Sequence, residues 1–465
     1  MSEFLTSQKR RYQLTSLRSI KRLLNQKWIL VIFALILTGL GAAVTGILFK
    51  TGVHIVEEWR LNLLKEIQPW LLLPALGALG GLVSSVLISK FAPAASGSGI
   101  SHIMAFLRHK EVPMGLRVGL VKLIAGIVAI GTGFPLGPEG PSVQMGGSVA
   151  WQMARWLKAP IAFRRLIVAA GGGAGIAAIF SAPIGGFIYA IEELLNSAKP
   201  IVLLLVVVTT FLADTWADLL QASGLDPSAS GFDSDLGFQV EKTYTGTFSF
   251  LPLDFGYLII LGILVGILGE LYCRYIISMQ IKGNTLFGSK LILKMTLSGF
   301  ILGSMYAFLP ETFHHLEGLR NLIANQDASI SLAIGIFIIL FLTSGIAAAS
   351  GAPGGLFYPM LLLGGSLGLA CGIGLEALTG HMPNTFVFAG MGGFLAACCR
   401  TPVTAMFLAF ALTKNLIVLK PILITCLTSF LVARIFNEHS IYHRQIEIDG
   451  ELKKQRILGE ETFTN

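Results

Sequence analysis

A chain of 465 residues that is 54% hydrophobic and only 13% charged, with a mean hydropathy of +0.73, is too apolar for a soluble domain, where about a quarter of residues carry charge. Its net charge of +8 does not point to nucleic acid, because the excess lies beside the first apolar span, where it suits an anionic lipid surface. The five cysteines fall in or beside apolar segments without metal-ligand or disulfide spacing, and read as packing residues.

Residues 1–27 hold seven Lys or Arg against one Glu. Apolar residues spaced from Leu14 to Leu24 suit an amphipathic interfacial helix on the cytoplasmic side. The run that follows, from 28, is long for a signal peptide and carries no small-residue cleavage site. Residues 28–49, 200 to about 220, 257–269 and 331–346 are the clearest apolar runs, against the roughly 20 residues a bilayer core requires. The chain divides into a first membrane repeat over 28–220, an extracytoplasmic linker over 221–254, a second repeat over 255–442 and a short cytoplasmic tail over 443–465.

The repeat is visible in glycine and proline. GFPLGPEGPSVQMGGS (133–148) lies over GAPGGLFYPMLLLGGS (351–366) with seven identities, among them Gly137/Gly355 and Gly146/Gly364. GAGIAAIFSAPIGGFIYA (173–190) lies over GGFLAACCRTPVTAMFLA (392–409), with Pro183 matching Pro402. Shared glycines and prolines imply shared backbone geometry. The linker has a single Lys and no Arg over 221–250, whereas Arg434, Arg444, Lys453, Lys454 and Arg456 close the chain. Positive-inside bias then places both termini in the cytoplasm, so each half crosses an odd number of times. The expected fold is an all-α membrane protein of two inverted-topology repeats with tilted and broken transmembrane helices.

Four segments, 93–107, 133–151, 351–369 and 391–412, are too short or too interrupted to be plain spans, and such backbone must be buried or line a cavity. Three of them open helices: SGSGIS at 96–101, GPEGPSV at 137–143 and GGLFYP at 354–359. A half-helix N-terminus attracts anions. With few cations nearby apart from Arg400, these donors suit a small monovalent anion that must bind and leave. Glu139 is the one acid among these loops. As an intramembrane carboxylate it reads as functional: an anion that could occupy the permeant anion's place and swing away once protonated. The plainer alternative is an N-cap.

These motifs resemble the CLC chloride channels and proton/chloride exchangers, most closely the prokaryotic exchangers. GSGIS matches the family's GSGIP, GPEGP its G-[RK]-EGP and GAPGGLFYP its GxFxP segment, within a resemblance that spans about 28–442. It implies a central chloride held by the hydroxyls of Ser98 and Tyr442 and the backbone N–H groups of Leu356 and Phe357. It makes Glu139 the gate and external proton carrier, and Glu193 the internal proton-transfer residue. On residue chemistry alone, Glu192 and Glu193 read as a solvated helix end, and the resemblance reverses that only for Glu193. It also implies chloride/proton antiport, with a passive voltage- or pH-gated chloride channel as the alternative, and a homodimer with one pathway per subunit in the cell (inner) membrane. No cofactor beyond bound chloride, no metal and no enzyme activity is implied. A fluoride-exporting member is disfavoured by GSGIS and Tyr442.

Two departures carry expectations. Pro138 replaces the basic residue before the gating glutamate, which predicts weaker outer anion binding or slower turnover. Ser101 replaces the proline of GSGIP. GGSLG (364–368) fits a hydrolase pattern but lies in an apolar segment, and its Ser366 reads as packing. Glu270, Glu376, Asp214 and Asp218 read as interfacial.

Overall fold

The computed structural model describes residues 26–196, 199–222, 250–288, 290–314, 316–381 and 383–450, and these are helical with no strand among them. The basic segment before 26, most of the linker and the tail beyond 450 lie outside the described residues. The first half comprises α1 (Gln26–Leu64), α2 (Pro69–Phe91), α3 (Ile100–Leu107), α4 (Leu116–Gly131), α5 (Glu139–Trp156), α6 (Ile161–Phe180), α7 (Pro183–Tyr189) and α8 (Pro200–Leu220). The second comprises α9 (Asp254–Phe287), α10 (Leu291–Ala307), α11 (Leu316–Asn325), α12 (Ile330–Ser350), α13 (Phe357–Thr379), α14 (Phe386–Cys399), α15 (Pro402–Thr413) and α16 (Leu416–Phe436), then α17 over 441–450. Eight of the described helical stretches are long and apolar enough to cross a bilayer.

Sequence signals set the ends. Proline opens α2, α7, α8, α15, where the missing N–H would have no intrahelical partner. Side chains of Ser329 and Asn415 cap α12 and α16. The helices α6 and α14 end at Ser181 and Arg400, both left-handed, positions equivalent in the repeat.

Small residues let the halves meet. A Cβ added at Gly77 in α2 would strike the Gly299 carbonyl in α10, and one at Gly299 would strike the Gly77 carbonyl. Gly81 meets Met295 while Gly303 meets Leu73 in the same swapped fashion. Likewise Gly146 packs on Gly171 as Gly364 packs on Gly390. Gly137 and Gly355, equivalent in the sequence alignment, form an isolated antiparallel bridge: Gly137 N–H donates to the Gly355 carbonyl at 2.9 Å and Gly355 N–H to the Gly137 carbonyl at 2.7 Å. Pairs that survive exchange of their members mark a local twofold relation between the two halves.

Residues 443–450 continue the helix that carries Tyr442, with Ile446 buried.

Candidate functional site

Three broken segments converge. After α2, residues 93–95 make a single tight turn and Gly99 adopts a left-handed conformation before α3. Ser98 is 8% exposed, and its Oγ accepts the Ile100 N–H at 3.2 Å, which leaves its own O–H to donate elsewhere. A Cβ on Gly140, in the first turn of α5, would meet the Ser98 carbonyl and Gly355. Glycine at 140 therefore brings the starts of α3, α5 and α13 into contact.

Glu139 is the first residue of α5 and fully buried. Its carboxylate crosses to α13, where Oε1 accepts the Phe357 N–H at 2.5 Å and the Tyr358 N–H at 3.2 Å. Those are the first two amides of α13, the donors an anion at this helix end would use. Its Oε2 has no hydrogen-bond partner. Leu356, which the resemblance pairs with Phe357 at a chloride rather than at this carboxylate, lies buried just before them.

Tyr442 is fully buried, its hydroxyl without a protein partner. Its ring lies 6.0 Å from that of Phe357, and Tyr189 stands edge-on to Phe357 at 5.9 Å from the other chain half, its hydroxyl also unpartnered. Two buried phenol donors thus flank the residue whose amide binds Glu139.

Tyr189 leads directly into a wide helical turn, Ala190–Leu195, and this separates the two neighbouring acids. Glu192 caps α15, accepting from Val403 N–H at 3.3 Å, Thr404 N–H at 2.8 Å and the Thr404 hydroxyl at 2.7 Å. Glu193 is buried and accepts the Ser440 hydroxyl at 3.1 Å. Ser440 Oγ is 2.8 Å from His443 Nδ1, and Arg108 contacts the far nitrogen of that ring. A solvated helix end therefore describes neither acid. Ser440 and His443 gave no motif in the sequence.

Two further charges were missed. Lys122, fully buried in α4, donates to the carbonyls of Ala95 (3.1 Å) and Gly97, bracing the loop before Ser98. Glu270, read above as interfacial, is 3% exposed in the middle of α9, where Arg274, Arg400 and Arg444 surround it. Ser366, the hydrolase-like serine, is buried and donates to the Leu363 carbonyl at 3.0 Å, a packing role. All five cysteines are free thiols.

Two cavities adjoin the site. One, of about 340 Å³, is lined by Ser98, Ser101, His102, Lys294 and Gln445. The other, of about 110 Å³, is bounded by Pro138 and Tyr358 on either side of the Glu139 perch, and by Arg60 near the end of α1. Backbone and phenol donors and one buried carboxylate thus lie between the two cavities.

Residues 80–434 match the family model described as voltage gated chloride channel. The chain is 32% identical to the H(+)/Cl(-) exchange transporter ClcA of Cronobacter sakazakii over 421 residues, covering 87% of each chain. Against the ClcA of Citrobacter koseri it is 31% identical, covering 95% of this chain and 96% of that one. Among solved structures, a slow cyanobacterial Cl-/H+ antiporter superposes with a TM-score of 0.79 at 30% identity, over 92% of this chain and 99% of that one. A CLC-type fluoride/proton antiporter shares the fold at a TM-score of 0.70 and 16% identity, over 89% of this chain and 97% of that one. With three broken helices meeting at Glu139 and a family match across most of its length, this chain belongs to the CLC family of chloride channels and proton/chloride exchangers.

Proposed function

We propose that this protein is a secondary active transporter that exchanges chloride for protons. The observation that carries the reading is the Glu139 carboxylate seated on the first amides of α13. Ionised, it is the anion at that helix end. On taking a proton it loses most of its attraction to those N–H groups, swings out, and leaves them to chloride. The same residue then holds one proton for each opening of the anion path. The hydroxyls of Ser98 and Tyr442 donate to the central chloride, and the amides of α13 complete its shell.

Protons reach Glu139 from Glu193, which Ser440 and His443 connect to the opposite side from the Arg60 cavity. This chain favours exchange over the second reading, a passive chloride channel gated by Glu139 alone, which has no use for a buried, hydrogen-bonded Glu193. The Ser98 cavity opens to the cytoplasm and the Arg60 cavity to the exterior, with both termini inside, as the basic flanks support. We place the protein in the cell (inner) membrane as a homodimer with one pathway per subunit.

The test is reconstitution in liposomes with a chloride gradient, no proton gradient and clamped voltage. Uphill proton movement driven by chloride, lost in Glu139→Gln and Glu193→Gln, is expected. Chloride flux without proton movement would make it a channel.

A further inference from the structure

Exchange requires protons to cross the interior between Glu139 and Glu193, and neither of the two cavities is lined by either acid. A phenol stands between them. Tyr189 closes α7 and leads into the wide turn that carries Glu193. The two residues are four positions apart, about one turn, a spacing that sends side chains along one face of a helix. On its other side the Tyr189 ring meets Phe357 edge-on at 5.9 Å. The Phe357 N–H is one of the two amides on which the Glu139 carboxylate rests. Both carboxylates lie within electrostatic range of the Tyr189 hydroxyl.

That hydroxyl is fully buried and has no hydrogen-bond partner. A buried polar group without a partner costs free energy, and phenylalanine would make the same ring contact without that cost. Two other protic groups share the region. The Tyr442 hydroxyl is the central chloride's donor on the exchange reading, and the Cys399 thiol is turned to Met360 Sδ at 3.9 Å. The Tyr189 hydroxyl has no such employment. A phenol donates one hydrogen and accepts another, which is what passing a proton between two carboxylates requires.

We propose that the Tyr189 hydroxyl relays protons between Glu139 and Glu193. This role rests on the chloride/proton exchange reading above. In the inward run the Glu139 carboxyl, protonated and off the α13 amides, gives its proton to the phenol oxygen as the phenol's own proton passes to Glu193. One O–H bond forms on the phenol as another breaks, so Tyr189 stays neutral. Glu139 is left ionised to return to its amides, and Glu193 carries the proton onward. The outward run is the reverse. Neither carboxylate bonds the phenol while Glu139 is seated, so the transfer belongs to the unseated state. The plainer alternatives are a third hydroxyl for the central chloride and a ring that only packs on Phe357.

The experiment compares wild type with Tyr189→Phe in liposomes under a chloride gradient, no proton gradient and clamped voltage, alongside calorimetric titration of chloride. Tyr189→Phe keeps the ring on Phe357 and removes only the hydroxyl. Chloride-driven proton movement is expected to fall about tenfold or more, within what a positioned proton-transferring side chain contributes. Chloride affinity and the unfolding midpoint should be no lower than in wild type. In the Glu139→Gln background, expected to move chloride without protons, adding Tyr189→Phe should leave chloride flux unchanged. Weaker chloride binding, or slower chloride flux in that background, would overturn the relay in favour of a chloride ligand. Full proton movement in Tyr189→Phe beside a coupled wild type would leave the tyrosine a packing ring and the exchange reading intact. A wild type that moves chloride but no protons would sink the exchange reading and the relay with it.

Discussion

Arg444 and Glu270 form a two-pronged ion pair, Nη1 to Oε1 at 3.1 Å and Nη2 to Oε2 at 2.6 Å, between the helix that carries Tyr442 and the middle of α9. Arg400, in its left-handed turn after α14, adds a 2.6 Å bond to Oε2 and holds the carbonyls of Ala433 and Asn437. One carboxylate thus fixes the ends of α14, α16 and α17 relative to α9, and through α17 it sets the place of the Tyr442 phenol. Removing one partner of a buried pair leaves uncompensated charge and costs about 3–5 kcal/mol. Glu270→Ala should therefore lower the thermal unfolding midpoint in detergent and weaken chloride binding. Glu270→Gln, which keeps shape and one acceptor, should do both less. Unchanged chloride affinity in a folded Glu270→Ala protein would show that Tyr442 is positioned by packing alone.

The Glu139 perch makes a separate prediction. Glu139→Gln keeps an acceptor for the Phe357 and Tyr358 amides and removes both the charge and the proton. A neutral amide competes less well for those donors than a carboxylate. Chloride should bind more tightly, and proton movement should vanish. Calorimetric titration of chloride into wild type and Glu139→Gln reads the first effect, liposome pH the second. Weaker chloride binding in Glu139→Gln would mean that the carboxylate does not occupy the anion's place.

Much of this was legible in the sequence where glycine and proline forced the backbone. The breaks at 137–143 and 354–359 and the equivalence of Gly137 and Gly355 follow from residues that allow few alternatives, whereas the bond between those two glycines needed the fold. Glu139 stood out because an acid between prolines in an apolar chain is rare, although an N-cap was the plainer alternative. Glu270 was not. It looks like an ordinary acid near a span end until Arg400 and Arg444, 130 and 174 positions away, arrive by tertiary packing. Lys122 and Arg60 were hidden for the same reason: their partners are backbone carbonyls, which leave no trace in residue identity. Glu192 and Glu193 are adjacent and chemically alike, and the wide turn at Ala190–Leu195 sends one to a helix cap and the other to Ser440.

That divergence can be tested at Ser440. On the proposed exchange reading, the Ser440 hydroxyl, which donates to Glu193 and lies against His443 Nδ1, is the last link of the proton's approach to Glu193. Ser440→Ala breaks that link without touching either titratable end. It should slow proton-coupled turnover several-fold, with Ser440→Thr restoring most of it, since a β-branched hydroxyl can make the same two bonds. Glu192→Gln should instead loosen the start of α15 and leave the proton-to-chloride ratio alone. Equal coupling in Ser440→Ala and wild type would exclude that link.

The swapped contacts of α2 and α10 predict an asymmetry between helix faces. Gly77 and Gly299 each press on the other's carbonyl, so any side chain there must push the helices apart. Overpacking of this kind costs about 1–3 kcal/mol. Gly77→Val and Gly299→Val should each lower the unfolding midpoint, and the double variant should cost less than the sum, because the first substitution already opens the gap the second needs. Gly335, on α12, has nothing within reach of an added Cβ, and Gly335→Ala should be neutral or slightly stabilising through helix propensity. A tolerant Gly77 would mean the two helices can slide, and with them the local twofold.

His314, in the connection after α10, carries the pH prediction. Burial holds its imidazole below the ordinary histidine range, carbonyl contacts with Tyr306 and Leu309 oppose this, and the Arg60 charge lowers it further. The folded protein therefore prefers His314 neutral. Above the unfolded value, about 6.5, its contribution to stability is complete. As pH falls through that value towards the lowered folded one, the unfolded chain binds the proton more readily and stability declines. His314→Gln should remove that part of the acid sensitivity while leaving neutral-pH stability close to wild type. Unfolding midpoints of wild type and His314→Gln measured across the acid range check this, and an equal acid loss in both proteins would mean that another group carries it.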